Sequence, residues 1–180
     1  QRASRHASAA EMLTDLLGLD REVRTSKLVF NLDTYPATNR TTLSGAKQWS
    51  DPTSQPINVM EDAIDTMMVR PNKLVIGRPA WTILKRHPQI IEAVLGKASS
   101  KGRVTLLDLA NILELEEVIV AEGWVNNARK GQNPNLARAW GKHATLLYVN
   151  PNADTERGIT FGVTAQWGNR IGMRREDPDI

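Results

Sequence analysis

Histidine is the side chain most often used to bind a metal or move a proton near neutral pH, and this chain has three. His6 lies near the start, His87 stands between Arg86 and Pro88, and His143 precedes an apolar run. No two are spaced as a His-x-x-x-His ligand pair, so each reads as structural or solvated. His87 is placed to finish a helix and meet its last carbonyls. There is no cysteine, which removes disulfides, thiolate nucleophiles and cysteine-ligated zinc. Glu61, Asp62 and Asp65 fall on one expected helix, and Glu114, Glu116 and Glu117 lie between a helix and a strand. Acid–base work needs carboxylates at a separation set by the fold, and a solvated acidic face is the commoner use. Gly141-Lys142 is followed by His143 where a phosphate loop needs Ser or Thr, and Gly96-Lys97 fails in the same way. Gly-x-Gly-x-x-Gly and Gly-x-Ser-x-Gly are both absent. The sequon Asn39-Arg40-Thr41 stands without other signs of secretion. Trp49, Trp81, Trp124, Trp140 and Trp167 are far apart and not interleaved with basic residues, which suits a core or subunit interface better than base stacking. No catalytic, cofactor-binding or metal-binding residue is expected.

The elements that carry these residues form an ordinary globular composition. Of 180 residues, 41% are hydrophobic and 24% charged, with net charge +3 and a pI near 9.4. The length allows one domain or two small ones. The basic residues are scattered, and Arg174-Arg175 is followed at once by Glu176-Asp177, so no nucleic-acid-binding stripe is visible. No apolar run reaches the roughly 20 residues of a membrane span. The chain opens inside a helical pattern without methionine and with no secretory signal, and is expected to be part of a longer protein.

Apolar spacing predicts a helix over 3–19 with Gly18 as its stop. Strands are expected over 23–31 and 38–49, and a Ser/Pro loop over 50–56. A helix over 56–70 should start with Pro56, bury Met60, Ile64, Met67 and Met68, and place Arg70 in its last turn. Lys73–Ile76 reads as a strand ending at Gly77. Pro79 opens a helix, His87-Pro88 interrupts it, and a second piece runs to Leu95. Thr105 and Asp108 resemble a capping box before a helix with Leu106, Leu109, Ala110 and Leu113. Val118–Ala121 is a strand, 122–136 loop, 137–149 strands and 159–167 an alternating strand before a polar tail from Gly168. The order is α+β. Residues 1–50 and 158–180 are expected to share a sheet, with 56–150 inserted between them.

These residues also carry a resemblance. Leu28-Val29-Phe30-Asn31, Tyr35-Pro36, Thr42-Leu43-Ser44-Gly45 and Gln48-Trp49-Ser50-Asp51 resemble landmarks of tailed-bacteriophage and prophage major capsid proteins. So do Pro71–Gly77, Trp81, His87-Pro88, Leu109-Ala110, Val118–Val120, Ala139-Trp140-Gly141, Leu147-Tyr148-Val149 and Thr160–Thr164. The family-motif structural positions are therefore Gly45, Trp49, Asp51, Gly77, Trp81, His87, Pro88, Trp140, Gly141 and Tyr148.

The resemblance implies the phage major capsid fold. A peripheral (P) domain would take residues 1–55 and 158–180, with the end of a spine helix at 1–19 and a long β-sheet from 20–55 and 158–180. A compact mixed α/β axial (A) domain would take 56–157. It implies a non-enzymatic, self-assembling homo-oligomer of pentamers and hexamers closing an icosahedral shell. The shell would be built in the host cytoplasm and end in the virion. Scaffold, portal or decoration proteins are possible partners, packaged double-stranded DNA is touched through phosphates if at all, and no membrane or cofactor is implied. The loops at 97–103 and 126–136 are candidate ring contacts, equally readable as solvated loops. The alternatives are an encapsulin-type nanocompartment shell, an enzyme with an unrecognised site, and a DNA-binding accessory protein.

Overall fold

Helix α1 runs over Arg2–Val29, about 42 Å at 1.5 Å per residue. The computed structural model describes residues 2–96, 102–154 and 156–164. Met12, Leu16, Leu19, Val23, Ser26 and Phe30 step by three or four and fall on one line along this helix. Its lower end is buried, with Ser26 and Val29 almost inaccessible. That burial decides two expectations against the sequence reading. Gly18 does not stop the helix: its φ is not in the left-handed region a glycine stop uses, and an interior glycine costs only about 1 kcal/mol. The strand expected over 23–31 is the helix's last two turns, since the β-prone Leu28–Phe30 run also fits the helical line.

Three single turns of 3₁₀ helix follow, at Leu32–Thr34, Ala37–Asn39 and Gly45–Lys47. They replace the strand expected over 38–49. Asn31 accepts a hydrogen bond from the Asp33 amide (3.0 Å), and the neighbouring backbone, though extended at Arg40 and Ser44, has no ladder partner among the described residues.

Helix α2 (Pro56–Asp65) buries Pro56, Ile57, Met60 and Ile64. It stops a turn early because Thr66 closes it: the Thr66 amide bonds back to Asp62 and Ile64, and its hydroxyl donates to the Ala63 carbonyl at 2.8 Å. Met67 and Met68 are therefore not part of the helix face, and Met68 is 95% exposed. Arg70 leaves the helix too and pairs with Glu114 at 2.7 Å.

Strand β1 (Lys73–Gly77), helices α3 (Arg78–Leu84), α4 (Pro88–Leu95) and α5 (Leu106–Ile112), and strand β2 (Glu117–Ala121) follow as expected. Proline at the start of α3 and α4 and Gly96 at positive φ after α4 explain those breaks. The expected loop over 122–136 contains a short strand, β3 (Trp124–Asn126), which pairs antiparallel with β4 (Leu136–Arg138). Strand β5 (Ala144–Leu147) completes a three-stranded sheet of order β2-β1-β5. β1 lies parallel to β2, with Lys73 opposite Glu117, and antiparallel to β5, with Ile76 opposite Ala144. Leu74 and Ile76 on this central strand are buried and join Leu84, Ile90, Leu109 and Leu113 in one core.

The chain divides into two units, Gln1–Tyr148 and Val149–Ile180. In the second, the Asp154 carboxylate accepts from the amides of Glu156 (2.8 Å) and Arg157 (2.6 Å). These bonds hold that carboxyl below its ordinary pKa. Residues 159–164 form no strand, and the rest of the expected strand and the tail from Gly168 lie outside the described residues. The sheet expected to join 1–50 with 158–180 thus has no strand in either segment among the described residues.

Candidate functional site

The landmark residues gather mainly at two junctions. At the first, the loop before α2 is pinned to the start of α4. His87 is the N-cap residue of α4 and is only 3% exposed. Its Nδ1 accepts a hydrogen bond from the Gln89 amide at 3.2 Å, which assigns the ring proton to Nε2. Nε2 lies 3.0 Å from both the Asp51 carbonyl oxygen and Ser54 Oγ. The ring thus caps the next helix instead of serving the last carbonyls of α3. Pro88 occupies the first turn of α4, where its missing amide N–H costs nothing. Gln89 continues the pin: its Oε1 accepts from the Ile57 amide at 3.1 Å, and its Nε2 donates to Asn58 at 2.7 Å, satisfying a free donor at the start of α2.

A serine beside a histidine invites a nucleophile reading, but the bonding opposes it. An Nε2 that carries the proton cannot take one from Ser54, and Nδ1 is occupied by a backbone amide. The Asp51 carboxylate is taken up by Thr53, whose hydroxyl and amide donate at 2.6 and 2.8 Å. Those bonds hold the Asp51 carboxyl below its ordinary range. The arrangement fastens a loop; it has no base poised for Ser54. Among the described residues no group of His, Asp or Glu is gathered to hold a metal ion.

The second junction fastens α1 to the sheet. A Cβ on Gly77 would meet the backbone oxygens of Gly141 and Trp140, so β1 and the loop before β5 approach as only glycine allows. The Gly77 amide bonds the His143 carbonyl at 2.9 Å. Gly141 turns the chain at φ +54°. Trp140 donates from Nε1 to Glu22 Oε1 at 2.6 Å, and its ring meets Phe30 edge to face at 5.6 Å. Phe30 also touches the His143 ring at 5.2 Å. Tyr35 donates to the Val29 carbonyl at 2.6 Å. Burial raises the Tyr35 pKa, while a bond with Thr145 on β5 works the other way.

The remaining landmarks are dispersed. Trp81 is buried in the core, and Trp49 packs against it with its indole N–H unpartnered among the described residues. Gly45 sits in an open 3₁₀ turn at φ +57°, and Tyr148 is half-buried at the end of its unit. Ser54, Glu22 and Gln89 were not singled out as site residues in the sequence. Their partners are 33, 118 and 32 positions away, and no local spacing marks them.

Among the described residues, the upper part of α1 carries an exposed apolar stripe. Ala9, Met12, Leu13, Leu16 and Leu17 repeat at helical spacing, and the four large side chains are each at least 59% exposed. They continue the α1 line that is buried lower down.

A family model for phage major capsid protein E matches residues 31–137. The major capsid protein of Pseudomonas phage JBD67 is 51% identical over 172 residues, covering 96% of this chain and 56% of that protein. The major capsid protein of Burkholderia phage BcepMu is 32% identical over 146 residues, covering 79% and 46% respectively. The chain spans about half the length of these curated relatives. A solved phage-related protein from Bordetella bronchiseptica RB50 superposes with a TM-score of 0.71 at 25% identity, over 84% of this chain and 49% of the other.

Proposed function

The chain belongs to the phage major capsid protein E family, and from that premise we propose that it is a structural subunit that assembles with copies of itself into a phage shell. The observation that carries the proposal is the apolar half of α1. A helix held at one end by Glu22, Phe30 and Val29 and bare along Met12–Leu17 is built to be covered by something else. In this reading the subunits close rings of five and six through head-to-tail contacts. Many weak contacts per subunit then act together. The shell encloses double-stranded DNA and forms in the host cytoplasm, with scaffold, portal or decoration proteins as further partners.

The peripheral and axial division follows from the same reading. Residues 56–157 form the axial domain, and the position of the core supports this: apart from Trp49, its cluster lies entirely between Ile57 and Leu146. Residues 1–55 and 158–180 form the peripheral domain, with α1 as the end of its spine.

The test is to express the complete reading frame and examine it by negative-stain electron microscopy, beside a Leu13→Gln/Leu17→Gln variant. Closed shells, sheets or tubes from the parent are expected, with folded but unassembled variant. At such exposed sites the subunit's own stability should change by no more than about 0.5 kcal/mol. A parent that stays a monodisperse monomer across salt and concentration would overturn the proposal.

A further inference from the structure

Folding brings the two ends of one basic stretch to a single cavity. Lys85 and Arg86 close the turn after α3, and Arg103 precedes α5. They line one cavity of about 410 Å³ whose walls, among the described residues, include Trp81 and Thr105 and no acidic residue. Arg86 and Arg103 are exposed and Lys85 is half-buried. Among the described residues none of the three makes an ion pair. Other exposed cations, among them Arg21, Lys27, Lys47, Arg129 and Lys130, also lack a carboxylate partner among the described residues, so what distinguishes these three is that they line one cavity together. Between positions 85 and 103 the only acid is Glu92, against Lys85, Arg86, Lys97, Lys101 and Arg103. That stretch carries a larger positive excess than the whole chain, whose net charge is +3.

We propose that this cavity is a binding site for a phosphate group. Three cations around one cavity over-neutralise a single carboxylate but match a multiply charged oxyanion. Two guanidinium forks give the paired donors that phosphate oxygens accept, and Lys85 adds a point charge. The cavity is open and wide enough for the group to arrive on a polymer backbone as well as free. Nucleic acid and inorganic phosphate share this chemistry. Where the group belongs to nucleic acid, the inference rests on the shell reading, which supplies the polymer.

The test uses the full chain and its Lys85→Gln/Arg103→Gln variant, with Arg129→Gln/Lys130→Gln as a charge-matched comparison. Binding of a fluorescently labelled mixed-sequence duplex is followed by anisotropy across roughly 50 to 200 mM salt. Inorganic phosphate is titrated separately by calorimetry. The cavity variant is expected to lose about tenfold in duplex affinity, with a salt slope shallower by about 2, and the comparison variant to stay within about twofold. Phosphate heat that disappears only in the cavity variant, with duplex binding unaltered, would support the site with free phosphate as its ligand. Equal losses in both variants, or no loss of either ligand in the cavity variant, would overturn it. So would poly-glutamate competing as well as polyphosphate of equal charge. Thermal melts confirm that each variant folds, and negative-stain images separate this result from the shell reading: shells that persist in the cavity variant leave that reading standing whichever way binding falls.

Discussion

A methyl group at Gly77 would have to occupy space already held by two backbone oxygens. Neither can swing aside as a flexible side chain would, because the Gly77 amide and the His143 carbonyl tie the two segments together. Gly77→Ala should therefore cost about 3 kcal/mol, the upper part of the usual overpacking range, read as a lower urea midpoint. Gly45 makes the comparison. It has nothing within 4 Å and only its φ of +57° to protect, so Gly45→Ala should cost about 1 kcal/mol. Gly77 has an ordinary φ of −67°, so a loss there no larger than at Gly45 would show that the two segments part at little cost and the close approach does not hold them.

Among the elements, α5 shows most clearly how a local signal becomes a fold feature. Thr105 Oγ1 accepts from the Asp108 amide at 3.2 Å, and the Asp108 carboxylate accepts from the Thr105 amide and hydroxyl at 2.8 and 2.7 Å. These bonds hold the Asp108 carboxyl below its ordinary value, the backbone amide contributing most. A depressed folded pKa means the cap contributes fully above the unfolded value near 3.9. The contribution is lost as pH falls through the folded value. Asp51 and Asp154 act with the same sign. Thr105→Ala should cost about 1 kcal/mol at neutral pH, and its melting temperature should fall less steeply than the parent's on acidification below about pH 4. Parallel acid profiles would remove the cap from the explanation. The same element shows what is legible in a sequence. The box at Thr105, the breaks at Pro79, Pro88 and Gly96, and the buried strand at 73–77 are marked by residues that act on their own backbone. The end of α1 is not, because Leu28–Phe30 suits strand or helix and only the docking of Ser26 and Val29 decides. The strand expected at 38–49 has no partner strand among the described residues, and strand pairing is something no local pattern reveals. The cationic cavity joins residues 18 positions apart, and the Glu22–Trp140 bond joins residues 118 apart.

At the scale of the whole subunit, that last bond separates the fastened half of α1 from the bare half. Glu22, Phe30 and the Tyr35 contact to Val29 tie the lower turns to the loop and strands around Trp140. Residues 8–18 are exposed throughout. A lever anchored at one end transmits the geometry of the core to whatever covers the other. It does so only while the anchor resists bending. Trp140→Phe keeps a ring against Phe30 but removes the donor from a charge-assisted bond, a change worth roughly 1.5–3 kcal/mol. Hydrogen exchange of the dissociated subunit should then quicken by about tenfold or more over residues 19–29, following that energy, while the β1 and β2 amides hold their rates. Residues 8–18 should exchange fast in parent and variant alike until assembly covers them. If residues 19–29 keep their protection in Trp140→Phe, the aromatic contacts alone hold the helix and the Glu22 bond is incidental. If β1 and β2 quicken in step with them, α1 is part of the core's cooperative unit, and its bare half is the free end of that core instead of a lever joined to it.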